Sequence, residues 1–408
     1  MKADLKADVV VIGGGAVGTS AAYHLSKLGK KVILCEARNI ASGASGRCGG
    51  MVVHCYGRDF RIHETDKRLT FTRANTQVMK DYSKSFEIDF EFRQVGCLDI
   101  AVTEKEYEDL ENLVKIQRSL GDNEIELLDK EQTLKEMWNL NPDLIVGSRL
   151  RRSDGNLNPF LLCRAQALEA KKHGAKIMTH TRVKKLLVKN KKIEGLLLGD
   201  DSVIMAEDVV SAVNGWTNQL ITGTEIIPTR GIAMITEKLP VLPAQPFETF
   251  CLGEFVYGCT QTLSGNYNIG GAGPRNTVDE HLDEKIYLEE VLKVNSFISE
   301  IFPSLKDVAI IRTWAGPIGF TPDGIPSIGP MPGVKGLFVT GGYPAGMSWA
   351  SVSGKLAAEY ICDQKTSIPL DFTDPGRFIC KPEMRWPQPY DLTYLHEYML
   401  KMEEAGLR

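Results

Sequence analysis

Asp8-Val9-Val10-Val11-Ile12-Gly13-Gly14-Gly15-Ala16-Val17-Gly18 carries a β-branched apolar run straight into a cluster of glycines. Such a run reads as a strand buried on both faces, as in a parallel sheet. Over 16–30 the small or apolar Val17, Ala21, Ala22, Leu25 and Leu28 recur at helical spacing, and Gly29 ends the helix. Lys31-Val32-Ile33-Leu34-Cys35-Glu36 is then a second strand. In this G-x-G-x-x-G, Gly13 permits the tight turn, Gly15 lets backbone approach a pyrophosphate, and Gly18 lets helix and strand pack closely. The helix N-terminus at Ala16 and Val17 offers unpaired N–H groups and partial positive charge to phosphates. Glu36 stands where a carboxylate can accept both hydroxyl hydrogen bonds of a ribose and disfavour a 2′-phosphate, with Ala37 and Arg38 beside it. Glycine-rich loops often serve packing alone, but strand, turn, helix, strand and terminal acid in one unit predict a bound dinucleotide. The motif does not by itself separate a flavin from a nicotinamide dinucleotide.

At 408 residues the chain exceeds a usual single core, so two interleaved domains are expected. With 43% hydrophobic and 25% charged residues it reads as an ordinary globular protein, and a net charge of −4 makes no electrostatic case for nucleic acid. No apolar run of about 18 residues is present, so no transmembrane segment is expected. The start, Met1-Lys2-Ala3-Asp4, carries an acid and leads into a strand, unlike a secretory signal. Nine cysteines without a Cys-x-x-Cys pair argue against a zinc or iron–sulfur site, so no metal is expected, and point to a reducing, cytoplasmic setting.

Three further segments bear on which dinucleotide is held. Ala41-Ser42-Gly43-Ala44-Ser45-Gly46-Arg47-Cys48-Gly49-Gly50-Met51 strings together small residues whose backbone amides can face a flavin or its phosphates. A flexible surface loop is the plain alternative. Arg312-Thr313-Trp314-Ala315-Gly316 precedes Thr321-Pro322-Asp323-Gly324-Ile325-Pro326-Ser327-Ile328-Gly329. Gly336-Leu337-Phe338-Val339-Thr340-Gly341-Gly342 is a strand running into a glycine turn, and a helix over 347–361 aims a second helix N-terminus at a ligand. In their order these segments resemble the FAD-dependent amine and amino-acid oxidoreductases: glycine oxidase, D-amino acid oxidase and the sarcosine oxidase group. The resemblance extends over 7–378. Asp154-Gly155-Asn156-Leu157-Asn158-Pro159 and the ending Asp371-Phe372-Thr373-Asp374-Pro375-Gly376-Arg377-Phe378 look most like the β-type flavin subunits of dehydrogenase complexes acting on proline, hydroxyproline, opines or sarcosine.

The resemblance implies FAD and an α/β (overall α+β) fold, with a Rossmann-like FAD-binding domain and an interleaved sheet-rich substrate domain. The first would be assembled from 1–82, 150–225 and 310–371 and the second from 83–149 and 226–309, leaving 372–408 as a tail. The FAD contacts it implies are Gly13, Gly15, Ala16, Val17, Gly18, Glu36, Ala37 and Arg38 from the first unit, and Ser42, Ser45, Gly46, Arg47, Gly49, Gly50 and Met51 from the following loop. A strand over 176–188 would offer Val183 to the adenine. Gly215 and Trp216 would follow a strand returning to the FAD, and Gly316, Gly342, Gly346, Met347 and Ser348 would approach from the C-terminal side. Alternation in Phe255-Val256-Tyr257 and Tyr267-Asn268-Ile269-Gly270 is compatible with strands over the isoalloxazine.

The implied reaction removes a hydride from a carbon bearing an amine nitrogen, giving an imine that hydrolyses. Its substrate would be a small amine or amino acid. A substrate carboxylate calls for a cation, preferably a bidentate arginine. Glycine oxidase and D-amino acid oxidase relatives carry one shortly after the Trp-Ala-Gly segment, where this chain has Pro317-Ile318-Gly319; sarcosine oxidase relatives place one where this chain has Val53. Arg58, Arg61, Arg230, Arg275 and Arg312 remain as candidates, with solvated or turn-holding arginines as the plain alternative. His54 could contact the flavin or carry a covalent link, and Tyr257, Tyr343 and Trp349 could line the pocket; packed histidine and core aromatics are the ordinary readings. Monomeric sarcosine oxidases activate oxygen with a lysine in the region matching 254–273, which here holds none. That points to electrons passing to a partner or other acceptor. Behind Asp391, the stripe Leu392, Leu395, Tyr398, Met399 and Met402 could pack on its own domain or on a partner subunit. Two other functions stay open: a non-catalytic, electron-relaying FAD subunit of a larger dehydrogenase complex, and an NAD dehydrogenase.

Overall fold

The computed structural model describes residues 5–54, 62–241, 247–251, 255–272, 282 and 284–386. The expectations for Arg58, Arg61, Arg275 and the stripe over 391–402 lie outside these residues.

The apolar run that opens the sequence becomes Val9–Ile12, buried along its whole length near the middle of a six-stranded sheet. The order across that sheet is Ser327–Pro330, Leu337–Gly341, Asp208–Ser211, Val9–Ile12, Val32–Cys35 and Lys176–Met178, all parallel except the first. One face packs against the helices Ala16–Lys27, Ile62–Ser85, Pro159–Lys172 and Ala350–Asp363 through a core that includes Val11, Leu25, Leu34, Phe71, Leu162 and Leu356. The other face meets a four-stranded sheet, Leu5–Lys6, Val203–Met205, Lys192–Leu198 and Val183–Lys189, around Val10, Ile33, Leu196 and Val209. Strands that alternate which core they serve, residue by residue, are why the run is apolar throughout.

An eight-stranded sheet follows the order Ile310–Phe320, Ile227–Lys238, Asn266–Ala272, Phe255–Gln261, Phe247–Cys251, Cys97–Ala101, Gly147–Arg151 and Ile125–Asp129. Its neighbours are antiparallel except Phe247–Cys251 with Cys97–Ala101. The helix Leu288–Ile301 covers one face of it, with Val294, Ile298 and Ile301 packed on Met234, Tyr267 and Ile269. The fold is thus the expected α/β arrangement with a second, sheet-rich part threaded through it.

Two local expectations need correction. The strand expected over 176–188 is two strands in two sheets, Lys176–Met178 and Val183–Lys189. The chain turns at His180, with φ +53°, while the N–H groups of His180 and Thr181 donate to the Arg38 and Glu36 carbonyls. The helix expected over 347–361 starts later, at Ala350, after a single 3-10 turn Gly346–Ser348. Two N–H groups of its first turn, those of Ser351 and Val352, donate to the buried Asn75 carboxamide at 3.0 and 3.1 Å. Much of that helix N-terminus is satisfied inside the protein rather than offered to a ligand.

Candidate functional site

The C-terminal ends of Val9–Ile12 and Val32–Cys35 open into a cleft of about 1120 Å³ that runs on beneath the eight-stranded sheet. Gly13 leaves the first strand with φ +105°, and a Cβ there would sit on the Ala212 carbonyl. Gly18 faces the Gly13 carbonyl so closely that any side chain would collide with it. Between them, Gly15 caps the helix Ala16–Lys27 without a side chain, and no acid stands in the first turn. Ser45 supplies the cap from outside, its Oγ accepting the Ala16 N–H at 3.0 Å. Free amides, a helix N-terminus and bare glycine surface form an anion cradle.

Glu36 stands beside that cradle at the end of the second strand. Its Oε2 accepts the Gly14 N–H and its Oε1 the Arg38 N–H, each at 2.7 Å. Both carboxylate oxygens keep further acceptor capacity toward the cleft. Beyond Glu36 the wall is Thr181, Arg182, Val183, Lys184 and Gly199. In the other direction it is Arg47, Cys48, Gly49, Gly50, Met51 and Val53, facing Tyr343, Gly346 and Met347. Burial pushes the Cys48 thiol up to about 11, so it lines this end as a neutral group.

The sheet closes the far end from above. Strand register sets Gly258, Gly270 and Ala233 in one cross-strand row and pairs Thr260 with Asn268 in the next. Thr260 Oγ1 donates to the Gly49 carbonyl at 3.1 Å, tying the sheet to the loop beneath. The Asn268 side-chain oxygen is buried with no hydrogen-bond partner. Among the described lining residues, those of the sheet carry no charged side chain.

Several residues singled out from the sequence line this cleft: Gly13, Gly15, Ala16, Val17, Glu36, Ala37, Arg38, Ser45, Arg47, Gly49, Gly50, Met51, Val183, Trp216, Gly316, Tyr343, Gly346 and Met347. Others stand behind its wall for structural reasons. Gly18 and Gly46 are pressed against the carbonyls of Gly13 and Ala41, and Gly215 packs on Pro228. The Ser42 and Ser348 hydroxyls accept the N–H groups of Asn39 and Val53. Gly342, at φ +75°, donates its N–H to the Asn214 carboxamide.

The polar candidates for the substrate pocket fare differently. His54 is 2% exposed and outside the cleft wall; its Nδ1 lies 2.5 Å from Asp154 and its Nε2 3.1 Å from Thr76, so both ring nitrogens are engaged by protein groups. Burial lowers its pKa, and the adjoining Asp154 only partly opposes that. Arg230 turns away from the cleft onto helix Leu288–Ile301, where it pairs with Glu290 at 2.5 Å and stacks over Tyr287. Arg312 lies at the exposed end of its strand against Trp314. Trp349 belongs to the core, and Tyr257 is described in its strand backbone alone.

Sequence reasoning missed Asn214 and Glu284. Asn214 adopts φ +43°, lines the cleft and accepts N–H groups of Gly342 and Tyr343 through its side-chain oxygen. An asparagine between a strand end and a glycine was the available signal. Glu284 lines the cleft and bridges Arg38 and Arg47 from 246 and 237 residues away, which no local pattern announces. Among the described residues, no group of three or more His, Cys, Asp or Glu is placed to hold a metal ion, and no helix is long and apolar enough to cross a membrane.

A family model described as FAD dependent oxidoreductase matches residues 8–360. The probable oxidoreductase OrdL of Haemophilus influenzae is 26% identical, over 89% of this chain and 85% of the relative. The gamma-glutamylputrescine oxidoreductase of Escherichia coli is 24% identical, over 87% and 83%. The crystal structure of L-proline dehydrogenase from P. horikoshii superimposes with a TM-score of 0.82 at 29% identity, covering 92% of this chain and 98% of that one.

Proposed function

This chain belongs to the family of FAD-dependent oxidoreductases, and on that footing we propose that it oxidises the C–N bond of a small amine or amino acid and passes the electrons to an acceptor other than oxygen. FAD suits the cleft it would occupy. The acid at Glu36 and the groove at 181–184 match an adenosine, the helix N-terminus beside Glu36 matches a diphosphate, and the cleft continues far enough beneath the sheet for an isoalloxazine. Gly49 and Gly346 line that far end, yet neither is forced by φ or by a protein neighbour closer than 3.7 Å. The missing side chains leave room for a flat ligand.

One observation carries the reading of the chemistry. The sheet wall over the far end is paved with Gly258, Gly270 and Ala233, bordered by Thr260 and Asn268, and carries no charged side chain among the described residues; Cys259 there packs in the sheet's core, where burial pushes its thiol up and keeps it neutral. When bound, FAD supplies the acceptor for a hydride, so the protein need only orient and dry the substrate. The C–H electron pair leaves the carbon, the nitrogen lone pair forms C=N, and the imine hydrolyses in water. A neutral amine needs no base for this. Met51, Val53, Ile232 and Met347 would exclude water from that end, while the Asn268 oxygen, turned about its last side-chain torsion, would accept a substrate N–H. Two of the similar proteins are named as an oxidoreductase of gamma-glutamylputrescine and a dehydrogenase of L-proline, an amine and an amino acid, which supports this substrate class. The absence of lysine over 254–273 supports an acceptor other than oxygen.

The test is anaerobic mixing of the FAD-loaded chain with glycine, sarcosine, proline, hydroxyproline and opines. Bleaching of the yellow chromophore by at least one of them is expected, with slow recovery in air. Rapid recovery with stoichiometric peroxide refutes the choice of acceptor. No bleaching by any amine favours the electron-relaying subunit, a reading to which the uncharged sheet wall also lends itself.

A further inference from the structure

Residues 284–290 form a short strap whose two ends are held by arginines from different parts of the fold. At one end Glu284 Oε1 lies 2.9 Å from Arg38 Nη1 and its Oε2 2.6 Å from Arg47 Nη2. At the other, Arg230 on strand Ile227–Lys238 pairs with Glu290 at 2.5 Å and stands 4.2 Å from the Tyr287 ring centroid. The strap therefore joins the dinucleotide cradle to the sheet that roofs the cleft. Arg38, Arg47 and Glu284 all line that cleft.

Their position along it is informative. Arg38 follows the ribose-facing Glu36 by two residues, and Arg47 ends the 3-10 turn Ala44–Arg47 whose Ser45 caps the helix N-terminus. A carboxylate bridging these two arginines spans the ground between ribose and helix, where a diphosphate would lie. The arginines do not depend on it for their placement. Arg47 also donates to the carbonyls of Ser42 and Ala315, at 3.1 and 2.5 Å, and Arg38 rests against the Trp216 ring. A carboxylate beside a diphosphate is repelled unless cations stand between, and two cations do so here. Displacing Glu284 would require the strap to swing out, which the Glu290 and Tyr287 contacts with Arg230 oppose.

We infer that Glu284 is the clasp of the cofactor cleft: bound to Arg38 and Arg47, it closes the strap across the diphosphate stretch of FAD and slows the cofactor's departure. It is a positioning residue and touches no reacting atom. The arginine and glutamate side chains are only partly buried, so each pair is worth little alone, and the joint effect is on the order of tenfold in release rate.

The experiment dilutes the FAD-loaded full-length protein and follows release by the rise in flavin fluorescence, with folding checked by circular dichroism. Glu284→Gln keeps the size and removes the charge; release about tenfold faster than wild type is expected. Glu290→Gln loosens the far anchor and should accelerate release less. Unchanged release in a folded Glu284→Gln overturns the inference. So does slower release, which would mean that Glu284 competes for the diphosphate's place. If Glu284→Gln does not fold, Glu284→Asp decides: its carboxylate is too short to reach both arginines, so faster release supports the clasp and unchanged release overturns it. No substrate enters the measurement, so its outcome is independent of which amine is oxidised.

Discussion

Glu36 and His24 illustrate opposite fates of a titratable side chain. Glu36 spends its charge on backbone N–H groups at the mouth of the cleft, where it stays accessible. His24 stands on helix Ala16–Lys27, largely covered by its neighbours, its Nε2 2.7 Å from the Tyr82 hydroxyl. Burial first, then Lys355 and Lys27, push its pKa down to about 3 from 6.5. Between those values the unfolded chain binds a proton that the native state refuses, so stability declines as pH falls below 6.5, by up to about 1.4 kcal/mol per pH unit. Buried His54 shifts in the same direction and adds to the slope. Urea unfolding at several pH values should show this, and His24→Gln should flatten the slope by its share; an unchanged slope refutes the assignment. Gly13, Gly15 and Glu36 were legible as cradle residues because strand, turn and helix are adjacent in the chain. His54 was not legible as a buried partner of Asp154, because its partner lies 100 residues away.

The strand Asn266–Ala272 turns a simple alternation into a division of labour. Tyr267 and Ile269 enter the core, while Asn268 and Gly270 face the cleft. Gly270 is free of any steric demand from the protein: a Cβ there would meet the Ile232 carbonyl at 3.4 Å and Ala233 Cβ at 3.9 Å, ordinary contacts. Gly270→Ala should therefore leave stability within about 0.5 kcal/mol of wild type yet raise KM for the substrate that bleaches the wild-type flavin. Loss of stability without change in KM would show that the glycine serves packing instead. The turn Thr321–Ile325 is the opposite case, a segment tied to the C-terminal part of the chain by a buried ion pair. Arg377 grips Asp323 bidentately, at 2.7 and 3.0 Å, and both are nearly buried. Burial alone would raise the Asp323 pKa, but Arg377 and the neighbouring hydrogen bonds outweigh it and hold the carboxyl below its usual value. Arg377→Ala strands that charge and should cost about 3–5 kcal/mol in a urea titration, with Asp323→Asn in the same chain restoring part of the loss. The alternation was legible in the sequence; which of its two faces lines the cleft was not.

Taken whole, the molecule wraps two sheets around one cleft, and the cleft's walls come from segments scattered from residue 12 to residue 350. A ligand that touches so many segments binds the native state alone and must stabilise it by mass action. Adding FAD at about a hundred times its Kd should raise unfolding free energy by about 2.7 kcal/mol, read as a shift in Tm or urea midpoint. Equal midpoints with and without FAD would mean that the cleft does not hold it.

By itself, the amino-acid order determined the strand–glycine–helix–strand unit and its terminal acid, because hydrophobic periodicity, glycine placement and a helix N-terminus act over fewer than 30 residues. It also carried the resemblance to an FAD-dependent family through motifs spaced along most of the chain. Only the tertiary structure decided that Arg230 is neutralised by Glu290, that His54 is withdrawn behind the wall, that Asn75 takes two N–H groups of a helix start expected to face the ligand, and that Glu284 joins Arg38 to Arg47. Each of these is a contact between residues from 22 to 277 positions apart, where the outcome depends on how sheets and helices stack and local pattern carries no information about the partner.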